Sequence, residues 1–438
     1  MKPSTRLFLV GPGLCLGMLT LLHAVPVARA GSVRPTSPSG TNPAMFRHTG
    51  AGAGELGPYA DFVDELPAGY TGPRFKLSQQ YPQSAPAGIR PWDAFDFKTQ
   101  PEQYLLAVRD YCYQGNIPVE FRGEANTVRK WYGVPWMHVG ANAREGIHGL
   151  TRERLTPARV LAPTQTSPVQ NWAVAYYNNV GGYTIGRVWA DPDQPRPELS
   201  QFRNGAVVCK LLFTAATLQQ VPWLTGSVEW QANIHQTNST QSAKQIRTVR
   251  LLQLDIAVRD TRADATTGWV FGTFVYDRTA QGTAWQKMRP VGLMWGNDPG
   301  ITPATVATTP LKESFISPNR PAPAAALLGW AGRLNGPVDN PESACSSCHS
   351  LAQHPRGSAM VPSGSPQARL RWFRNLRGNQ PFDTGRTPLD YSLQMAVGLR
   401  NYFDSGLNPD LSSAKAFMAA PLRPGVEIER FPRPASGP

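Results

Sequence analysis

Two thiols three residues apart, followed directly by an imidazole, stand at Cys345-Ser-Ser-Cys348-His349. Each thiol of such a run can add across one vinyl group of a haem. The adjoining histidine can then reach the iron from the proximal side. The motif therefore implies one covalent haem c, attached through Cys345 and Cys348, with His349 as an axial ligand. The other chemistries open to these residue types fit less well. A zinc site needs two more ligands nearby. Only His354 offers itself downstream, since no cysteine follows Cys348. A thioredoxin-like pair would lie beside a βαβ pattern, whereas Pro-rich loops flank this motif.

A second group of reactive side chains lies about two hundred residues upstream. Trp131-Tyr-Gly-Val-Pro-Trp136-Met-His138 precedes Arg144-Glu145-Gly-Ile-His148. His138, Arg144 and His148 could form a general acid/base site, because haem peroxidases polarise bound peroxide with a histidine and an arginine. In the plainer reading, the aromatic residues build core and the histidines make ordinary hydrogen bonds. The spacing favours the plainer one. The tryptophans between Trp172 and Trp295 could likewise line a ligand cleft, but they more often pack a large sheet. There is no Gly-x-Ser-x-Gly elbow and no His-Glu-x-x-His run.

The elements that must position these residues are mainly β. Gly205 to Phe213, Val249 to Asp260 and Gly268 to Asp277 are rich in Val, Leu, Phe and Tyr and read as strands. The last two are separated by a short polar loop and read as an antiparallel pair. Trp172 to Trp189 reads as a further hairpin around a Gly181-Gly182 turn. Helical patterns appear only towards the C-terminus, at Ala326 to Leu334, Pro366 to Leu376 and Leu389 to Phe403. On the last, Leu389, Leu393, Ala396, Leu399, Tyr402 and Phe403 share one face. The expected fold class is α+β: a large β-rich body followed by a small all-α haem domain. The expected divisions are a signal peptide at 1–30, a loose Gly/Ser/Pro/Ala-rich segment at 31–58, the body at 59–316, a linker at 317–325 and the haem domain with its tail at 326–438.

The signal peptide rests on Lys2 and Arg6, an apolar stretch from Leu7 to about Leu22, and an Ala28-Arg29-Ala30 cleavage site. Gly11, Pro12 and Gly13 break the apolar stretch, and no later run is long enough to span a bilayer. The mature chain is thus expected in the periplasm with no transmembrane segment. Such a compartment permits a disulfide between Cys112 and Cys209, the two cysteines the haem motif leaves over. The formal charge is +13, and losing Lys2, Arg6 and Arg29 leaves about +10. Dispersed basic residues on an exported chain argue against nucleic-acid binding. They suit solubility, or an acidic or anionic partner surface.

On the residues Cys345, Cys348 and His349 and the helix-loop-helix pattern after them, the stretch from about 320 to 425 resembles class I c-type cytochromes. The resemblance implies a low-spin haem that passes single electrons to a redox partner protein, with His349 on one side of the iron and often a methionine on the other. Three methionines follow the motif: Met360 in a Pro-flanked loop, Met395 inside the long helix and Met418 near the tail. Family spacing favours Met395 or Met418 and loop placement favours Met360; His354 or an open site are the alternatives. The body, through Gly205 to Phe213 and the aromatic strands around Trp269, also resembles small β-sheet haem proteins that oxidise hydroxylamine. That likeness implies a lysine joined to the haem and a motif close to the C-terminus, whereas about 90 residues follow the motif in this chain. Two further readings stay open: a haem-dependent oxidoreductase whose substrate binds in the body, and a ligand-binding or sensing body with an attached haem domain.

Overall fold

The computed structural model describes residues 66–137 and 144–404. Its centre is an antiparallel sheet of eight strands: β1 (Thr151–Arg152), β2 (Asn171–Tyr177), β3 (Val207–Thr214), β4 (Glu229–His235), β5 (Lys244–Arg259), β6 (Trp269–Tyr276), β7 (Met288–Met294) and β8 (Ser314–Ile316). The strands lie in the order β1-β2-β3-β5-β6-β7-β8, and β4 pairs with the first half of the long β5. The α+β class and the β5–β6 antiparallel pair match the sequence reading.

Both faces of the sheet are covered, so β2 and β6 are buried along their whole length. Successive side chains of a strand point to opposite faces. On β3, Cys209, Leu211 and Phe213 enter one core, and Val208 and Lys210 face the other way. The first core is closed by helix α1 (Pro101–Tyr113). Pro101 begins that helix where a missing N–H costs nothing. Its Tyr104, Leu105, Val108, Tyr111 and Cys112 form the buried stripe of an amphipathic helix. Gly272 of β6 lets Leu105 approach: a Cβ there would stand 2.3 Å from the leucine methyl.

The Gly181-Gly182 hairpin is not formed. Helix α2 (Asn179–Val188) follows β2 directly. The Asn178 side chain caps it by accepting the Gly181 N–H at 2.9 Å, a strong helix-start signal. The two glycines provide room, not a turn. A Cβ at Gly182 would lie 2.6 Å from the Tyr132 ring, and one at Gly181 would press on Tyr177.

The expected linker and separate all-helical haem domain are also not what forms. Leu334, Ala344, Leu351, Phe373, Leu389, Met395 and Leu399 share one core with Tyr132, Tyr177, Trp269, Phe271 and Met294 of the body. All the described residues fall within one compact unit. Among the described residues, the C-terminal part contains only short helices, too small to bury a core of their own. Among the described residues its regular pieces include α3 (Cys345–His349), the two-residue strands β9 (Gln353–His354) and β10 (Thr387–Pro388), which pair with each other, and α4 (Leu393–Asp404). The expected helix at 366–376 reduces to the turn of helix Pro366–Arg369 and a 3-10 turn, Leu370–Trp372. The expected helix at 326–334 reduces to a single 3-10 turn, Trp330–Gly332. The side chain of Arg333 fastens this region. It is fully buried, 5.3 Å and 4.5 Å from the Trp330 and Phe373 rings. It donates to the carbonyls of Asn297, Asp298, Ile301 and Trp330. The expected signal peptide and the loose segment at 31–58 lie outside the described residues.

Candidate functional site

The second face of the sheet and the Cys-x-x-Cys-His helix enclose a cavity of about 290 Å³. Its floor is a pair of rows running across the strands. One is Ala175 (β2), Lys210 (β3) and Asp255 (β5), continued past the cavity by Thr273 (β6) and Gly292 (β7); the other is Tyr177, Val208, Ala257 and Phe271, continued by Met294. Small residues at 175, 208 and 257 leave the space above them open.

Helix α3 forms the opposite side. A tight polar cap starts it: Ser347 Oγ accepts the Ala344 N–H at 2.8 Å and donates back to the Ala344 carbonyl at 3.0 Å. Cys345, Cys348 and His349 all line the cavity. Both cysteines are free thiols. Burial, followed by the nearby Asp339, pushes the Cys348 thiol up to about 12 and raises Cys345 as well. His349 Nδ1 lies 2.8 Å from the Tyr391 carbonyl. That bond fixes the ring and leaves Nε2 as the free nitrogen. Burial lowers His349 to about 4, so the imidazole is neutral at ordinary pH, the form that binds iron. Phe271 packs against this ring, with centroids 5.1 Å apart. Two free thiols and one oriented neutral imidazole on a single cavity fit a covalently held haem. Among the described residues, no group of three or more His, Cys, Asp or Glu gathers as zinc ligands would.

The remaining wall is ionic. Lys210 Nζ lies 3.0 Å from Glu153 Oε1. Burial works against the Lys210 charge, but Glu153, with Asp255 behind it, raises Lys210 above the ordinary lysine value. Gln253 Nε2 donates to Asp255 at 2.8 Å and to Asp339 at 2.9 Å, so one amide holds two carboxyl groups together. Thr273 Oγ1 donates to Asp255 at 2.9 Å and stands 3.8 Å from the Cys345 sulfur. Burial, then the neighbouring Asp339, lifts Asp255 to about 8. Burial raises Asp339 too. Like charges this close cannot both ionise freely away from water. None of these six residues, Glu153, Lys210, Gln253, Asp255, Thr273 and Asp339, was singled out from the sequence. They are spread between residues 153 and 339; strand register aligns Lys210, Asp255 and Thr273, and the Gln253 side chain ties in Asp339 from a turn.

The sequence candidates fare unequally. Met360 lines the cavity and is 36% exposed. Met395 is fully buried in the core and is not among the cavity-lining residues. Helix α4 buries Leu399 and Tyr402 of the expected apolar face, adds Met395 to it, and leaves Leu393, Ala396 and Phe403 only partly buried. Met418 lies outside the described residues. His354 packs on Phe403 with centroids 4.6 Å apart, away from the cavity. The proposed acid/base group does not assemble there either. His148 is stacked between Phe75 at 3.8 Å and Trp230 at 4.3 Å, on the α1 side of the sheet. Arg144 is buried and donates to the Val134 carbonyl at 3.1 Å. His138 lies outside the described residues. Glu145 is a structural staple, accepting the N–H groups of Ile147, His148, Leu150 and Asn233. Trp131, Tyr132 and Trp136 are buried in the core, as the plainer reading expects.

Cys112 on α1 and Cys209 on β3 meet in the first core, both fully buried and both free thiols. Burial, then a hydrogen bond with Cys112, raises the Cys209 thiol. No helix among the described residues is long and apolar enough to cross a membrane. No family model, curated protein or solved structure matches this chain.

Proposed function

We propose that the protein is an exported monohaem c-type cytochrome that carries single electrons. Cys345 and Cys348 would hold the haem by thioether bonds, with His349 as one axial ligand and Met360 the methionine available for the other side. One observation carries the reading: Cys345, Cys348 and His349, its Nδ1 engaged by the Tyr391 carbonyl, line the same cavity. A haem bound there supplies reversible one-electron exchange between ferric and ferrous iron. The chain's own residues do the rest. The Tyr391 carbonyl orients the imidazole, Phe271 and Tyr177 exclude water, and Lys210 with the two aspartates sets the local charge. The test is a haem stain on a denaturing gel, using mature protein from a strain competent in haem attachment. Covalent haem is expected in the wild type and lost in Cys345→Ser/Cys348→Ser. A wild-type band without haem would overturn the reading.

A second reading, a haem-dependent oxidoreductase with its substrate in the same cavity, draws on the ionic wall. Paired titratable groups whose environments push their pKa values apart are characteristic of acid/base chemistry. Lys210 is also the one lysine lining the cavity among the described residues, which is notable given the likeness to haem proteins with a lysine joined to the haem. An open, high-spin ferric iron that binds cyanide would favour this reading. A six-coordinate spectrum with a methionine–iron band would favour pure electron transfer.

A further inference from the structure

Met360 and Val361 of the cavity lining belong to an irregular flap with an unusual charge. From Pro355 to Pro388 the chain carries six arginines, no lysine and a single acid, Asp383. That acid is used up inside the flap: it accepts from Gln353 Nε2 at 2.6 Å, from the Ser358 N–H and hydroxyl at 2.7 Å, and from Arg371. Arg356, Arg371, Arg374, Arg377 and Arg386 are exposed. Arg371 and Arg374 stand over the same Phe382 ring, at 5.0 Å and 4.9 Å, so two like charges are held side by side. Burial, then the Arg371 charge, lowers Arg374 below the ordinary arginine value. An incoming anion would relieve that repulsion. The flap is also tied to the cavity. Trp372 Nε1 donates to the Ala359 carbonyl at 3.0 Å, and the next two residues, Met360 and Val361, line the cavity while remaining 36% and 43% exposed.

We infer that this flap is a docking surface for the carboxylate-rich face of a partner protein that exchanges electrons with the group in the cavity. The inference rests on the haem reading for the electron, but not for the docking. A protein fits better than a lipid surface. Planar guanidinium groups pair two-pronged with carboxylates, and two exposed apolar residues offer little to bury in a bilayer.

The experiment uses the full haem-bearing chain, a flap variant Arg356→Gln/Arg377→Gln/Arg386→Gln that leaves the Asp383 staple intact, and a control Lys98→Gln/Arg278→Gln/Arg289→Gln of equal charge loss. Stopped-flow oxidation of the reduced protein is followed with hexacyanoferrate(III) and with the cationic tris(phenanthroline)cobalt(III). At low salt the rate with the anionic oxidant should fall about tenfold in the flap variant. It should hold in the control, and the difference should vanish in high salt. The cationic oxidant should react no slower with the flap variant. Equal effects in the two variants, or an equal fall with both oxidants, would overturn the inference. Binding of labelled poly-L-glutamate, read by fluorescence anisotropy, needs no haem. Loss of binding confined to the flap variant supports the surface even if the haem reading has failed. Stronger binding to phosphatidylglycerol vesicles than to polyglutamate would reject a protein partner.

Discussion

At the scale of single residues, two methionines separate by environment. Met360 stands at the cavity and Met395 in the core. Met360→Ala should abolish the ferric methionine–iron charge-transfer band and change stability by no more than about 0.5 kcal/mol, as exposed substitutions usually do. Met395→Ala should keep the band and cost about 2–5 kcal/mol of stability, through the cavity it leaves. Spectra and urea unfolding of both variants decide the matter, and a band lost in Met395→Ala would reverse the assignment. Residue-level legibility follows the same division. Cys345, Cys348 and His349 could be read because their chemistry needs adjacency in sequence. Lys210, Asp255 and Asp339 could not, because the first two meet only across strands and the third joins them from a distant turn. Arg144 and His148, close in sequence, do not meet at the cavity, because close spacing in a loop says nothing about which face of a sheet each side chain will reach.

At the scale of elements, β3, β5 and β6 were legible from their runs of Val, Leu, Phe and Tyr, since such residues fit a pleated, buried surface, whereas β1, β4, β7 and β8 were not read. Helix α2 was not, because Gly-Gly is a turn signal in most contexts and its packing role against Tyr132 depends on a residue 50 positions earlier. Gly182→Ala should therefore destabilise the protein by about 1–3 kcal/mol, despite the better helix propensity of alanine. Chemical denaturation would show it, and a stabilised variant would contradict the packing. The pair linking α1 to β3 gives a second test. In protein made in an oxidising compartment, Cys112 and Cys209 should be recovered as one disulfide-linked peptide pair, and reduction should cost about 2–5 kcal/mol. Two alkylated thiols in that preparation would rule the bond out.

At the scale of the whole molecule, the C-terminal segment is a wall of the body and not a module beside it. Residues 326–438 produced alone should show no cooperative unfolding, because their apolar side chains complete a core shared with the sheet; a sharp thermal transition would restore a separate domain. Stability should also follow pH in a predictable way. Folding lifts Asp255 from 3.8 to about 8, so the folded state keeps a proton that the unfolded chain releases. Stability is then lost as pH rises towards 8. Burial drives His148 to about 3 and His354 to about 4 from 6.5, so their contribution is lost as pH falls below 6.5. Between pH 7 and 8 the aspartate dominates. Wild type should weaken over that interval in urea titrations and Asp255→Asn should stay level; a wild type that strengthens would show Asp255 already ionised. The row Ala175-Lys210-Asp255-Thr273-Gly292 carries one more consequence. One residue inserted into β3 ahead of Lys210 would rotate the lysine into the α1 core and bring an apolar neighbour into the cavity. The exposed turn at 237–242 between β4 and β5 lies beyond every rung of that row. Length variation is thus tolerable at that turn and ruinous within the strands, so a tag or fluorophore loop belongs there.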